Sequence, residues 1–238
     1  DQMILSAAGA VDHDAIVTAA EAIFGTLKPV GARPLQRAAW TGGERREVKD
    51  LEQVHFAMGF EAPAVTADDF FTAQVYATAL GGGMSSRLFQ KIREERGLCY
   101  SIYAQAGAYE DTGMITIYAG TSAEEIGDLC GLTMDELKRA AEDMSEAELA
   151  RARAQMKAGM LMGLESPSSR AERMARHLAI WGRVQDVAET AAEIDAVTRA
   201  GIRTFAEGLA GRAETALALY GPVERAPTLE ALRDRLAA

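Results

Sequence analysis

The chain has 238 residues, a formal net charge of −10 and an ordinary hydrophobic content of 48%, which together are typical of one large globular domain or two small ones. The acidic balance argues against a nucleic-acid-binding surface and suits an enzyme that attracts basic peptides. There is neither an apolar run of the ~20 residues that span a bilayer nor a signal-peptide pattern. We therefore expect a cytoplasmic protein that binds no membrane, while a targeting segment upstream of Asp1 stays open.

The first 40 residues predict a strand, a helix and a linker. Gln2–Ala10 is predicted to form a strand, and Asp12 is predicted to cap a helix over residues 13–27 whose apolar residues share one face. Residues 28–39 contain two prolines and show no periodicity, which is typical of a linker.

From residue 40 onward the pattern predicts one complete domain. Thr66 is predicted to cap a helix over residues 67–80, and Ser145 with Glu148 forms a capping box at the start of a later helix. Strands joined in hairpins, followed by a run of helices and a late strand, indicate an α+β fold. The predicted strands cover residues 44–48, 54–61, 98–109, 114–120 and 215–220, and the later helices cover residues 123–140, 145–164, 167–181, 186–197, 198–209 and 227–236.

Residues 81–120 carry the most specific pattern in the chain. Three glycines, at positions 81–83, precede a short helix with the apolar residues Met84, Leu88 and Ile92 at four-residue spacing. Gly97 is predicted to end this helix in the left-handed conformation. The strand that follows places residues 98, 100, 102 and 104 on one face, and residues 110–113 are predicted to form a hairpin turn.

Two residues of this stretch, Arg93 and Tyr100, are candidates for a chemical role. Arg93 lies in the last turn of the short helix, and Tyr100 lies seven residues later near the start of the strand. A helix end followed directly by a strand can bring the two side chains into one cleft, where a guanidinium and a phenol offer donors to a developing oxyanion. A purely structural interpretation is also open, because arginine complements a helix C-terminus and tyrosine is common in strands.

The segment GGGMSSRLFQKIREERGLCYSIYA resembles the hallmark of the second homologous domain in the pitrilysin/insulinase family of zinc metallopeptidases, and is most similar to the branch with the mitochondrial processing peptidase. The resemblance covers residues 1–27 and about 40–222. It implies a mostly antiparallel sheet with helices packed on one face. It also implies that residues 1–27 are the terminal strand and helix of the preceding homologous domain, residues 28–39 the linker, and residues 40–238 the second, non-zinc domain.

The same resemblance implies the roles of the candidate residues. Arg93 and Tyr100 would reach into a zinc site of the N-terminal half and hold the scissile carbonyl. Gly81, Gly82 and Gly83 are predicted to bind substrate by lining the cleft, and a simple helix-capping role stays open for them. A phosphate loop is excluded because the glycines lack the following lysine and hydroxyl residue and do not follow a strand.

The chain itself lacks the family's zinc motif, an HxxEH pair on a helix. Its three histidines, His13, His55 and His177, are at least 42 residues apart, so we interpret each as structural and expect no metal ligand here. Zinc is expected in the intact enzyme, bound by the other half. Cys99 and Cys130 are far apart in sequence and form no CxxC motif, which favours two free thiols in a reducing compartment.

These observations predict the C-terminal half of a zinc metalloendopeptidase, inactive as an isolated chain. The expected partners are a peptide substrate and the N-terminal zinc-binding half or a partner subunit. Residues 1–27 also need a surface to cover them, and two sources stay open: a second copy in a homodimer, which we favour, or the chain's own second domain if the linker lets the segment fold back. The alternative is a zinc-less scaffold or binding subunit of the same family, such as the core subunits of the respiratory bc1 complex.

Overall fold

The structure is a computed structural model that describes residues 3–28, 31, 36–211 and 214–237, so part of the predicted linker lies outside the described residues. The helices are α1 (His13–Phe24), α2 (Phe70–Gly81), α3 (Ile126–Asp143), α4 (Glu146–Gly163), α5 (Pro167–Trp181), α6 (Val187–Ala196), α7 (Arg199–Ala210) and α8 (Leu229–Ala237), with a π-helical turn at Phe89–Glu94. The strands are β1 (Gly43–Val48), β2 (Val54–Ala62), β3 (Cys99–Ala108), β4 (Gly113–Thr121) and β5 (Thr215–Gly221).

Two compact units divide the chain. The first, called the helical unit, consists of Asp1–Arg37 and Lys157–Thr190. The second, called the sheet unit, consists of Ala38–Met156 and Ala191–Ala238 and contains all five of the strands given above. Among the described residues, no helix combines the length and the apolar character that a transmembrane span requires.

Local capping defines the helices of the helical unit. The backbone N–H of Ala15 donates to Asp12 Oδ1 at 2.8 Å, which confirms the predicted cap of α1. In α5, Pro167 occupies the first turn and Gly182 ends the helix at φ +67°, as expected for proline at a helix start and glycine at its end.

The predicted strand at the N-terminus is wrong for the described residues 3–10, which form no strand. A strand needs a neighbour whose backbone groups pair with its own, and none of the strand pairs in the described chain involves these residues. Their assignment to the sheet of a preceding domain stays a prediction.

The sheet unit is built on a five-stranded sheet in the order β1-β5-β2-β4-β3. All neighbours pair in antiparallel register except β1 and β5, which are parallel. This arrangement confirms the predicted α+β fold with a mostly antiparallel sheet.

The helices of the sheet unit cover one face of the sheet. Alternate residues of β2 point into this core, and Val54, Phe56, Met58 and Phe60 are completely buried, as expected for a strand with one covered face. Helices α2 and α8 pack against β3 and β5, and α3 packs on α7 and α8 behind them. The largest helical side chain in this core is Tyr76, which packs edge-on against Phe205 at 5.5 Å.

The predicted cap at Thr66 is wrong, because α2 begins three residues later than expected, after Asp69. The preceding residues form consecutive turns, in which Ala67 N–H donates to Ala64 and Phe70 N–H donates to Ala67, at 3.1 and 3.0 Å. These turns already use the backbone groups that an earlier helix start would need. In contrast, the capping box of α4 is confirmed, since Ser145 N–H donates to Glu148 Oε2 at 2.8 Å and Glu148 N–H donates to Ser145 Oγ at 3.3 Å.

Candidate functional site

The glycine run lies where the end of α2 crosses strand β3. A Cβ atom added to Gly81 would lie 2.2 Å from the backbone nitrogen of Ala104, so only glycine permits this close approach. Gly82 accepts a hydrogen bond from Gln155 Nε2 at 2.7 Å on its carbonyl oxygen. Gly81 is buried, whereas Gly82 is exposed and Gly83 is half-buried, so the run first fixes the packing of α2 and then emerges at the surface.

The short helix after the glycines closes with a π turn. The N–H of Glu95 donates to the carbonyl of Gln90, five residues earlier, at 2.9 Å. Gly97 follows at φ +65°, which confirms the predicted left-handed helix end. Ile92 is completely buried, but Met84 is 73% exposed because it lies in the turn before the helix begins, so its predicted place in the apolar stripe is wrong. Single π turns within helices are frequent at functional sites.

Strand β3 contains a β-bulge at Tyr100. Cys99 pairs with Thr121 and Ser101 pairs with Gly120, so Tyr100 is an extra residue that opposes no partner. Its side chain is 81% exposed, while Ile102 is buried. The prediction that these two side chains share one face is wrong, because a bulge adds one residue to the strand and reverses the alternation before it.

The π turn and the bulge bring the two candidate residues together. The guanidinium carbon of Arg93 lies 5.3 Å from the centre of the Tyr100 ring and 4.4 Å from the centre of the Phe89 ring. Both distances lie within the ~6 Å range of cation–π contacts. A carboxylate oxygen of Glu94 lies 3.6 Å from a guanidinium nitrogen of Arg93, and the Arg93 side chain remains 29% exposed. Two aromatic rings therefore restrain a partly exposed guanidinium beside an exposed phenol.

Phe89 belongs to the site although it was not among the residues predicted for it. The structure places its ring against Arg93. The spacing of four residues between Phe89 and Arg93 is a signal that points to this contact, since residues four apart on a helix are neighbours.

A partly buried ion-pair network holds the start of this helix against α4. Arg87 donates to both carboxylate oxygens of Glu148, at 2.6 and 3.0 Å, and also contacts Asp143 at 2.5 Å. Burial disfavours the ionised form of Glu148, but the hydrogen bonds from Arg87 and Ser145 outweigh this cost and lower the pKa of Glu148 to about 2. After the Phe89 contact, the ion pairs of Arg87 are the second feature of the site that was not predicted from the sequence.

Two of the three histidines form hydrogen bonds with residues of their own unit. His55 Nδ1 and the Tyr118 hydroxyl share a hydrogen bond of 2.8 Å, and His177 Nδ1 accepts from the N–H of Gln185 at 3.1 Å. Within the described ranges, no three His, Cys, Asp or Glu side chains cluster in a way that could hold a metal ion. These residues therefore do not fit a zinc site.

Both cysteines are free, as predicted, and the structure shows that both are buried. Burial raises the pKa of Cys99 to about 11 and the pKa of Cys130 to about 12. Since the thiolate is the reactive form, neither side chain is suited to be a nucleophile.

A family model described as the peptidase M16 inactive domain matches residues 1–156. The chain belongs to this family, which confirms the resemblance inferred from the motif.

Similar proteins carry matching names. An uncharacterized zinc protease of Mycobacterium tuberculosis is 35% identical over 229 residues, covering 93% of this chain and 52% of that protein. An uncharacterized zinc protease of Streptomyces coelicolor is 34% identical over 232 residues, covering 93% and 50%, and one of Bacillus subtilis is 32% identical over 230 residues, covering 96% and 56%. The chain thus spans about half the length of the curated relatives it matches.

A solved structure shares the fold. A chain of complex III2 from Candida albicans, in a structure with Inz-5 bound, matches with a TM-score of 0.84 and 22% sequence identity, over 95% of this chain and 56% of that chain. At this identity the match supports the fold and not a function.

Proposed function

We propose that this chain is the C-terminal half of a zinc metalloendopeptidase, in which Arg93 and Tyr100 bind the carbonyl oxygen of the peptide bond that is cleaved. The observation that carries the proposal is the bulge that turns Tyr100 outward while its ring stays 5.3 Å from the Arg93 guanidinium. The names of the relatives as zinc proteases support the same function for the whole protein.

The two side chains suit an oxyanion because both are donors. The guanidinium carries a permanent positive charge and several N–H groups, and the phenol adds one O–H. Donors fixed before the reaction stabilise negative charge as it develops on the carbonyl oxygen, and each is worth about 10²–10³ in kcat. The rings of Phe89 and Tyr100 hold the guanidinium in place, so less ordering is needed when the peptide binds.

In this proposal the zinc site belongs to the other half of the protein. The described residues of this chain offer no ligand cluster, and the relatives have about as many additional residues as the chain itself. The exposed Gly82 and half-buried Gly83 are proposed to border the cleft on the α2 side, while Gly81 serves packing.

The experiment uses the protein that joins this chain to its zinc-binding half. Arg93→Ala and Tyr100→Phe are expected to lower kcat about 10²–10³-fold, with zinc content and melting temperature unchanged. The matched controls are Arg96→Ala, at an exposed position three residues from Arg93, and Tyr109→Phe, at an exposed position after the far end of β3, and both should keep wild-type kcat. Wild-type turnover in the two test variants would return Arg93 and Tyr100 to a structural role.

The second candidate function is a zinc-less scaffold or binding subunit. It is favoured by the description of the matching family model as an inactive domain. The two functions differ in the upstream sequence of the natural polypeptide, since only the enzyme, or a partner subunit that completes it, needs an HxxEH motif.

A further inference from the structure

The sheet face opposite the helices of the sheet unit contains a groove of about 440 Å³. Its floor is formed by four small residues on neighbouring strands, where Ala57 of β2 pairs with Ala218 of β5 and Gly59 pairs with Ala216. Side chains of directly paired residues are ~5 Å apart, so four small ones in a block leave a depression. The groove is therefore a consequence of residue size on an otherwise regular sheet.

Large side chains close one end of this groove. A Cβ atom at Gly59 would lie 3.3 Å from the Trp40 ring and 3.5 Å from the sulfur of Met114. The Trp40 indole N–H donates to the carbonyl of Glu214 at 2.8 Å, which fixes the ring. Apolar groups thus form both the floor and this end wall, as in sites that take apolar side chains.

A row of aromatic side chains borders the other end of the groove. The row, called the aromatic row, crosses four adjacent strands through Tyr220, His55, Tyr118 and Tyr103. Successive ring centres are 6.2, 6.1 and 5.2 Å apart. Tyr103 and Tyr220 are 42% and 41% exposed, so the row offers apolar ring surface together with hydroxyl groups, a combination suited to binding sites.

We propose that this face binds the substrate peptide in an extended form, with a large apolar side chain of the peptide in the groove and the adjoining peptide backbone on the aromatic row. That this peptide is a substrate rests on the proposed function. Strand β2 is paired on both sides within the sheet, so the peptide is held through side chains and not by addition of a strand.

Continuity with the Arg93 and Tyr100 pair favours a substrate peptide as the occupant. Tyr103, at one end of the aromatic row, is three residues from Tyr100 on the same strand, and the groove lies two to three strands further across the sheet. With ~3.3 Å per residue along β3 and ~4.8 Å between strands, the groove is ~10 Å along and ~10–14 Å across from Tyr100, a separation of about 14–17 Å that an extended peptide spans with four to five residues. The groove therefore selects the fourth or fifth residue from the cleaved bond.

Binding is tested on this chain without cleavage, by fluorescence anisotropy with the labelled peptide Lys-Ala-Ala-Ala-Phe-Ala-Ala-Ala-Lys and its counterpart with a central alanine. The phenylalanine peptide is expected to bind about tenfold more tightly, the scale for filling an apolar pocket. Ala57→Leu and Ala218→Leu fill the groove and should reduce this ratio to about one. Ala200→Leu, on an exposed position of α7, is the matched control and should keep it.

Equal affinity of the wild-type chain for the two peptides would overturn the proposal, as would an unchanged ratio in both groove variants. Dissociation of a dimer by the groove variants, seen by sedimentation velocity, would assign the face to contacts between copies and also overturn it. A peptide with benzoylphenylalanine at its centre needs no folded variant, and its crosslinks are expected on β2 and β5. Because no turnover is measured, failure here is distinct from failure of the Arg93 and Tyr100 experiment.

Discussion

The close contact of Gly81 with strand β3 gives a sharp prediction about the glycine run. In Gly81→Ala, the new methyl group would lie 2.2 Å from the backbone nitrogen and 2.7 Å from the side chain of Ala104, and 2.9 Å from the carbonyl carbon of Tyr103. Two of the three contacts are backbone atoms, so no side-chain rotation relieves them. Restoring ordinary contact distances requires α2 and β3 to separate by about 1 Å across a close-packed core.

Overpacking of this kind costs about 1–3 kcal/mol, and we expect the upper part of this range because the obstructing atoms belong to the backbone. The melting temperature should fall by roughly 4–12 °C, since 1 kcal/mol corresponds to about 2–4 °C in a protein of this size. The assays are thermal unfolding for the melting temperature and urea unfolding for the free energy of unfolding, both followed by circular dichroism.

Gly208→Ala is the control for this experiment. Gly208 lies in α7 with no other group within 4 Å of an added Cβ, so the variant should be unchanged or stabilised by up to about 1 kcal/mol, the helix propensity difference between the two residues. A Gly81→Ala protein with the unfolding free energy of the wild type would refute the packing role. Loss of peptide affinity at unchanged stability would instead support the predicted role of Gly81 in substrate binding.

Three further predictions concern acid stability, metal and association. The pKa of Glu148 is lowered from 4.5 to about 2 in the folded chain, so its contribution to stability is complete above pH 4.5 and is lost as the pH falls toward 2. Glu148→Gln should therefore cost about 2 kcal/mol of unfolding free energy at pH 7 and flatten its decline between pH 5 and 2. The same decline in the variant as in the wild type would contradict this prediction. The isolated chain, purified without chelator, should contain no stoichiometric zinc by elemental analysis, and one tightly bound zinc per chain would contradict this prediction. Residues 1–28 are predicted to support a homodimer, so light scattering should give a dimer for the full chain and a monomer without them; a monomeric full chain at high concentration would disprove this.

The sequence was sufficient to select Arg93 and Tyr100 as candidate site residues, but it did not predict the geometry of the site. The spacing of Arg93 and Tyr100 around Gly97 indicated a helix end followed by a strand, and the two side chains do meet. The four-residue spacing of Phe89 and Arg93 is a signal for their contact, but the π turn and the bulge were not predictable. Each depends on how β3 pairs with β4 and packs on the helix, and neither relation is encoded in the periodicity of one segment.

The sequence by itself determined the local elements. Helix α5 begins at Pro167 and ends before Gly182 as predicted, and the capping box of Ser145 with Glu148 forms as its pattern indicates. These features depend on backbone groups within a few residues, so local side chains are sufficient to specify them. The alternating burial of β2 is predictable for the same reason, because it reflects a period of two along one strand.

The tertiary structure decided what depends on distant partners. Residues 3–10 have the composition of a strand but no neighbouring strand in the described chain, and they remain irregular. The parallel pairing of β1 with β5 joins segments about 170 residues apart in sequence. Gly81 is explained only by Ala104 on another element. A hydrogen bond or a steric contact needs two partners, and the sequence of one segment specifies only one of them.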